Sequence, residues 1–414
     1  MIKMLAENWT VIEANLQINW LLVNNCLQFA AWGVFSLLLA EVLRDTYHAL
    51  CHKVSWLAKW HNKHHAAYRR DLSVVSLKMY QESQLYHDIV ESVLLVFVLT
   101  IVALLVNQWG LWFGVLYACT FLYGASVRYF QGKIETDYNH LPGPLEIIPS
   151  SLWVNRAYHW RHHFDDVNAY YSGVFPLVDK ILGTALSLKG KTIAITGASG
   201  TLGQALTAEL IQHNAKVVAI TTNPDKLVTQ TGVMVLPWEL GNEVQLRDRL
   251  EKVDILIINH GVNVYGDRTP QAINSSYEVN TFSALRLMDI FMTTVTGPQD
   301  KATKEIWVNT SEAEVSPALS PLYELSKRTL GNIITLKRLE GNCIIRKLIL
   351  GPFKSQLNPY GVMSATQVAK FIVFLAVRDF RNIIVTINPL TYLLFPFKET
   401  STWLYYRVFS KAKN

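Results

Sequence analysis

The chain has 414 residues, half of them hydrophobic and 17% charged. That excludes a disordered or fibrous protein and suggests two or three domains. Four cysteines, Cys26, Cys51, Cys119 and Cys343, stand far apart with no CxxC pair, which excludes a disulfide framework and a thiolate zinc site and fits a reducing compartment. The formal net charge of +6 arises after residue 188, where 25 Lys+Arg face 18 Asp+Glu, against 13 and 14 before it. With no interleaving of basic and aromatic residues, this points to weak attraction for anionic lipid and away from nucleic acid.

In chain order, residues 14–40 carry no charge and read as a membrane helix. Asn and Gln residues interrupt its apolar run and no small-residue cleavage site follows, so a signal peptide is not expected. Residues 92–127 form a second uncharged run. As one helix it would span about 54 Å, against about 30 Å for a bilayer core. It must fold back, and Asn107-Gln108-Trp109-Gly110 is the turn between helices expected at 85–106 and 109–131. The segment 44–80 holds seven Lys+Arg and two acids, which places it on the cytoplasmic side by the positive-inside rule. The third helix then returns the chain to that side.

Near residue 188 the pattern changes. TIAITGASGTLG opens a series of β-rich runs, 192–196, 216–220, 254–259, 305–309 and 343–349, alternating with helical periods. That is an α/β doubly wound pattern over 189–388, following an all-α, integral-membrane, histidine-rich part over 1–188. The tail, 389–414, carries LTYLLFPF and WLYYRVF followed by Lys411 and Lys413. It reads either as a membrane-interfacial segment or as a cap on the second domain.

Ten of the twelve histidines precede residue 164. His48 and His52 are spaced HxxxH. His61, His64 and His65 form one HxxHH cluster, and His159, His162 and His163 another. On a helix such spacings aim imidazoles to one side. Eight imidazoles without a cysteine exceed one tetrahedral zinc and suit two adjacent metal ions. This arrangement, with Asp45, Asn139-His140 and VFPLVDKILGT at 174–184, resembles the integral-membrane fatty acid hydroxylase and sterol desaturase superfamily over residues 30–186. The resemblance implies two iron ions, dioxygen as co-substrate and oxidation of a lipid by hydroxylation or desaturation. It gives ligand roles to His48, His52, His61, His64, His65, His159, His162 and His163, and to His140, although Thr136 stands where some members have a further histidine. His87 reads either as a ligand or as a hydrogen-bonding neighbour of one.

After residue 190, Gly197, Gly200 and Gly203 form GxxGxxG between a strand and a helix, permitting close approach of a pyrophosphate to the helix N-terminus. Asn259-His260-Gly261, Asn280, Ser311 and Tyr323-x-x-x-Lys327 follow. Together they resemble the short-chain dehydrogenase/reductase family, with its Rossmann-like fold, over residues 190–356. The resemblance implies that Tyr323 is the acid/base, that Lys327 lowers its pKa and binds ribose, that Ser311 positions the substrate oxygen, and that Asn280 completes a proton relay. It implies cofactor contacts from Gly197, Ser199, Gly200, Thr201, Leu202, Gly203, Thr221, Thr222, Asn259, Gly261 and Ser355, besides Tyr323 and Lys327. Ser311 stands twelve residues before Tyr323, where thirteen is common, and His260 replaces the usual alanine. No acid ends the second strand, so neutral Thr221 and Thr222, with Lys226 nearby, favour NADP(H) over NAD(H).

The fusion resembles cyanobacterial bifunctional sterol desaturase/short-chain dehydrogenase proteins. The resemblance implies oxidation of a lipid in the bilayer, alcohol/carbonyl interconversion by the second domain, and an external one-electron donor such as ferredoxin for the metal domain. The rival readings are a fatty aldehyde enzyme of the wax or alkane type, and a tethered reductase or redox sensor with a relict metal domain.

Overall fold

The computed structural model describes residues 2–227 and 232–411, the side chains of residues 2–19 excepted; Lys413 of the basic tail lies outside them. Packing divides the chain into two units: residues 1–143 with 171–178, and 144–170 with 179–414.

The first unit is helical: α1 (Ile2–Lys53), α2 (Ser55–Ala66), α3 (Leu77–Ser83), a π-turn over Gln84–Asp88, α4 (Ile89–Val106) and α5 (Trp112–Gln131). Among the described residues, three helical stretches are long and apolar enough to cross a membrane: Trp20–Lys53, Leu77–Val106 and Trp109–Gln131. The hairpin expected at 107–110 is present. Asn107 takes a left-handed φ of 52° and donates its N–H to Ala103, closing α4, and Gly132 ends α5 in the same way at φ 66°. Small residues bring α1 and α5 together: a Cβ on Gly114 would stand 2.7 Å from the Ser36 carbonyl oxygen, while Ser36 Oγ accepts the Gly114 N–H at 2.9 Å. The first span differs from the expected 14–40 in that its helix runs unbroken into the first histidine pair.

In the second unit α6 (Arg156–Phe164) precedes α7 (Leu177–Leu182), whose last residues join it. A seven-stranded parallel sheet follows in the order β3-β2-β1-β4-β5-β6-β7: β1 (Thr192–Thr196), β2 (Lys216–Thr221), β3 (Met234–Pro237), β4 (Ile255–Ile258), β5 (Glu305–Asn309), β6 (Ile344–Leu350) and β7 (Asn382–Val385). Helices α8 (Thr201–Gln212), α9 (Arg247–Leu250), α10 (Pro270–Tyr277), α11 (Ser283–Thr293), α12 (Pro298–Thr303), α13 (Pro321–Lys337), α14 (Ala365–Ala376) and α15 (Pro389–Phe409) connect and flank the strands. One sheet face packs Ile193, Ile195 and Leu348 against Leu206 of α8 and Ile372 of α14; the other packs Ala194, Leu256 and Ile306 against Leu287 of α11 and Ile334 of α13. Burial on both faces explains why the central strands read as continuous apolar runs. The short outer strands β3 and β7 were not expected from the sequence.

The packed units do not divide at residue 188. Residues 144–170 belong with the sheet because α6 is tied to it. Arg161, wholly buried, bonds Glu305 on β5 at 3.2 Å and the Ala302 carbonyl. Lys191 pairs with Asp165, and Tyr158 donates to Asp179 at 2.9 Å. In the tail, α15 caps the sheet with one face: Phe395 is fully buried, and Glu399 binds Lys347 of β6 at 2.6 Å and Arg338 at 3.0 Å.

Candidate metal centre and candidate active site

In the first unit α1 ends with His48 and His52 on successive turns, and α2 presents His61, His64 and His65. Ligand atoms of His48, His52, His61 and His65 all lie within 4.8 Å of one another. His61 Nε2 is 2.9 Å from His65 Nε2, and its Nδ1 is 3.2 Å from His87 Nδ1. The π-turn bulges the helix at His87, which is buried with its ring 4.3 Å from that of His61. His64 meets His140 edge to face, with ring centres 4.8 Å apart.

The surrounding residues orient these rings. His48 Nδ1 donates to the Tyr171 carbonyl at 2.6 Å. His140 Nδ1 meets Asp137 at 2.8 Å, Tyr68 donates to the other Asp137 oxygen at 2.9 Å, and the Tyr68 ring stacks on His140. Asp45 accepts the Gly173 N–H, and Asn139 donates to the Gly173 carbonyl. Tyr68, Asp137 and Tyr171 carry no spacing signal in the sequence, since their partners lie on other turns. Burial and neighbouring imidazoles hold His61 far below the usual histidine range and bring His65 down to about 3. These rings are therefore neutral. Neutral imidazoles turning nitrogens toward one point are the donor set of a nitrogen-preferring metal, so the residues fit the metal the spacing implies.

In the second unit Asn155 caps α6 by accepting the Tyr158 N–H. His159 and His163 bring their Nε2 atoms to 3.2 Å, and His162 donates Nδ1 to the Ala169 carbonyl at 2.8 Å. Between them Arg161 turns the other way, into a buried network in which Arg346 bonds Glu305 and Asp379, each at 2.7 Å at closest.

The dinucleotide loop follows β1. Gly197 has φ 64°, and a Cβ there would come within 2.9 Å of the His260 backbone; one on Gly203 would strike the Gly197 carbonyl. The loop thus lies flat at the start of α8, where Thr201 and Leu202 open the helix behind Gly200 as N-cap. Ser199 and Thr221 share a hydrogen bond of 2.7 Å, and Thr222 is exposed at the end of β2. Asn259 accepts from Asn309 at 3.0 Å. His260 spends both nitrogens, on Thr196 at 2.8 Å and Ser283 at 2.7 Å, and burial brings it down to about 3. It is a neutral brace between β1 and α11.

Tyr323 and Lys327 stand one turn apart on α13. Lys327 donates to the Asn309 carbonyl at 2.9 Å, with Nζ 5.9 Å from the centre of the Tyr323 ring. Burial raises Tyr323, opposed by the hydroxyl of Ser311 twelve residues back, and burial lowers Lys327 to about 8 against the pull of Glu314. Asn280 lies in a second π-turn, Glu278–Phe282, and grips Val262 through its N–H and carbonyl at 2.8 and 2.9 Å and Ser326 at 3.0 Å. Its side chain therefore shapes the loop after Gly261. Ser355 Oγ accepts the Asn358 N–H at 3.2 Å in the loop after β6.

Residues 33–184 match the fatty acid hydroxylase family and residues 191–340 the short chain dehydrogenase family. The chain is an oxidoreductase in which a histidine-rich domain with three apolar helices is fused to a dehydrogenase domain. It is 53% identical over 394 residues to the monoglucosyldiacylglycerol epimerase of Synechocystis sp., covering 91% of this chain and 96% of that protein, and it belongs to the same family. Among solved structures it is similar to a short chain dehydrogenase from Burkholderia cenocepacia in complex with NADP, at 17% identity and TM-score 0.45 over 55% of this chain and all of that one. It is also similar to BdcA in complex with NADPH, at 18% identity and TM-score 0.41 over 49% and 95%.

Proposed function

We propose that the chain acts on the sugar head group of a membrane glycolipid, oxidising one ring alcohol to a ketone and reducing it again from the other face. The 53% identity to a monoglucosyldiacylglycerol epimerase supports the substrate class. The observation that carries the chemistry is the buried ammonium of Lys327, which donates to the Asn309 carbonyl at 2.9 Å with its Nζ 5.9 Å from the centre of the Tyr323 ring. Tyr323, as phenolate, takes the hydroxyl proton. Residues Gly197 to Gly203 would hold NADP(H), favoured by the neutral Thr221 and Thr222, and it would supply hydride acceptance from that carbon and hydride return to the other face of the ketone once the ketone has turned over. Ser311 holds the substrate oxygen through both steps. Tyr323 then gives the proton back to the alkoxide, so the carbon is inverted with no net oxidation and no electron donor is consumed.

The histidines are proposed to hold two iron ions, with His48, His52, His61, His64, His65, His140, His159, His162 and His163 as ligands and the basic segment 44–80 on the cytoplasmic side. Bound there, iron would supply dioxygen chemistry on the lipid, fed by a one-electron donor such as ferredoxin. This second reading is favoured by the convergence of neutral imidazoles in the first unit.

The test incubates full-length protein in nanodiscs with monoglucosyldiacylglycerol and NADP+, with and without oxygen. The expected product is the hexose epimer, formed anaerobically and lost in Tyr323→Phe. Epimer formed equally by Tyr323→Phe would overturn the assignment. Oxygenated lipid with an unchanged sugar would leave only the second reading.

A further inference from the structure

An ordinary amphipathic helix on a soluble domain turns its apolar stripe to the core and its charges to water. Helix α15 does the reverse. Its inward positions are Thr391, Phe395 and Glu399, with Lys398 beside them. Glu399 is bound to Lys347 and Arg338, and Lys398 to Glu314 at 2.7 Å. Its outward positions are Leu390, Leu393, Leu394, Phe397, Leu404, Tyr405 and Val408, spaced as one continuous face; Phe397 is 77% exposed and Leu393 70%. The helix is held to its sheet by ions and leaves its apolar surface bare.

The helix also braces the candidate active site. Glu312, next to Ser311, accepts hydrogen bonds from Thr386 at 2.5 Å and Thr391 at 3.3 Å, while Asn388, the N-cap, donates to Ser316 at 3.2 Å. The start of α15 and the loop that carries Ser311 are thus one bonded assembly.

We propose that the outward face of α15 lies in the headgroup layer of the bilayer that holds the chain's own apolar spans, so that the Ser311 loop is braced by a lipid-seated helix. Two features argue for lipid as the occupant. The same polypeptide carries three stretches suited to crossing a membrane, which keeps a bilayer at high effective concentration. The helix ends in Arg407, which lies over the Trp403 ring at 5.0 Å, followed by Lys411. Aromatic and basic residues beside an apolar face form the pattern of an interfacial helix facing anionic lipid. The seating stands without the proposed epimerisation; only its effect on turnover rests on that reading.

The test uses full-length protein with Cys26→Ser and Cys119→Ser, carrying an environment-sensitive fluorophore at Phe397→Cys or, as control, at the exposed Asp248→Cys. Each is placed in phosphatidylcholine/phosphatidylglycerol nanodiscs with and without doxyl-labelled lipid. A blue-shifted probe quenched by about two-fold or more is expected at 397 and none at 248. Equal responses at both positions would overturn the proposal, and a blue-shifted but unquenched probe at 397 would assign the face to a second copy of the chain. The double variant Phe397→Glu/Leu404→Glu should keep NADPH binding and lose at least about five-fold in turnover of bilayer-held lipid but not of detergent-dispersed lipid. Quenching at 397 in a protein that epimerises no lipid would retain the seating and remove the epimerase reading.

Discussion

The two units expose different things. In the first, Phe97, Leu104, Leu105 and Leu116 face out around a small apolar core of Leu95, Leu99 and Leu111, and Ser36, Glu41, Asp45, Ser83 and Ser92 are buried. In the second, Ile193, Ile257, Ile306 and Ile345 are inside, and the reactive groups gather where strands end, at Gly197, Asn259 and Ser311. Each pattern answers its surroundings. Helices suited to hydrocarbon keep polar groups for one another, and a sheet suited to water keeps them for its rim. Buried polar residues take both roles in each unit: Ser36 joins two helices while Asp45 anchors Gly173, and Arg346 and Lys347 brace the sheet while Asn280 and Lys327 line the candidate active site. Helix α15 belongs to the second unit by its bonds and follows the first in its apolar exterior.

The largest expected effect separates the two chemistries. Tyr323→Phe should lower epimer formation by about 10²–10⁴-fold, as loss of an acid/base group does, with iron content measured by elemental analysis unchanged. A parallel loss of iron would break the division drawn here. Next, Arg346→Met should destabilise the sheet unit by about 3–5 kcal/mol, because Glu305 and Asp379 would keep only Arg161 and Arg381 and lose the buried guanidinium that joins them. Urea unfolding in detergent measures it, and a negligible change would deny the network its bracing role. Asp137→Asn should weaken metal binding by about 10–100-fold through the loss of the carboxylate on His140, read by chelator competition, while leaving NADPH binding intact.

The smallest effect is a pH limb. Lys327 is lowered to about 8 by burial, so below that pH it is charged and supports the Tyr323 phenolate, and above it the support fades. kcat/KM should fall as pH rises through about 8, and the limb should move upward in Lys327→Arg, whose charge persists. The stability contribution has the opposite sense. The folded state releases this proton before the unfolded chain does, so the contribution of Lys327 to stability grows as pH climbs from about 8 toward its ordinary value of 10.5.

Much of this was legible in the sequence, for reasons that differ by element. The histidine spacings were readable because each cluster sits on one helical segment, where the 3.6-residue period turns spacing into direction. The strands β1, β2, β4, β5 and β6 were readable because burial on both faces leaves unbroken apolar runs. The outer strands carry no such run: Met234–Pro237 has only exposed or half-exposed side chains, and in Asn382–Val385 only Ile383 and Val385 are buried. Residue type and approximate distance from Tyr323 point to Ser311, but its place beside the tyrosine depends on how the loop after β5 turns.

By itself, then, the sequence determined the local geometry: which histidines share a helix face, where the glycine loop meets a helix, and that Tyr323 and Lys327 stand one turn apart. Tertiary structure alone decided which distant groups meet. It drew residues 144–170 to the sheet through Arg161 and Glu305, 144 positions apart, gave His260 to Thr196 and Ser283, and set α15 with its charges inward. The physical reason is range. Helical and strand periods act over a few residues and are written in spacing. A buried charge takes whatever partner the fold delivers, and that choice appears only when the chain has closed on itself.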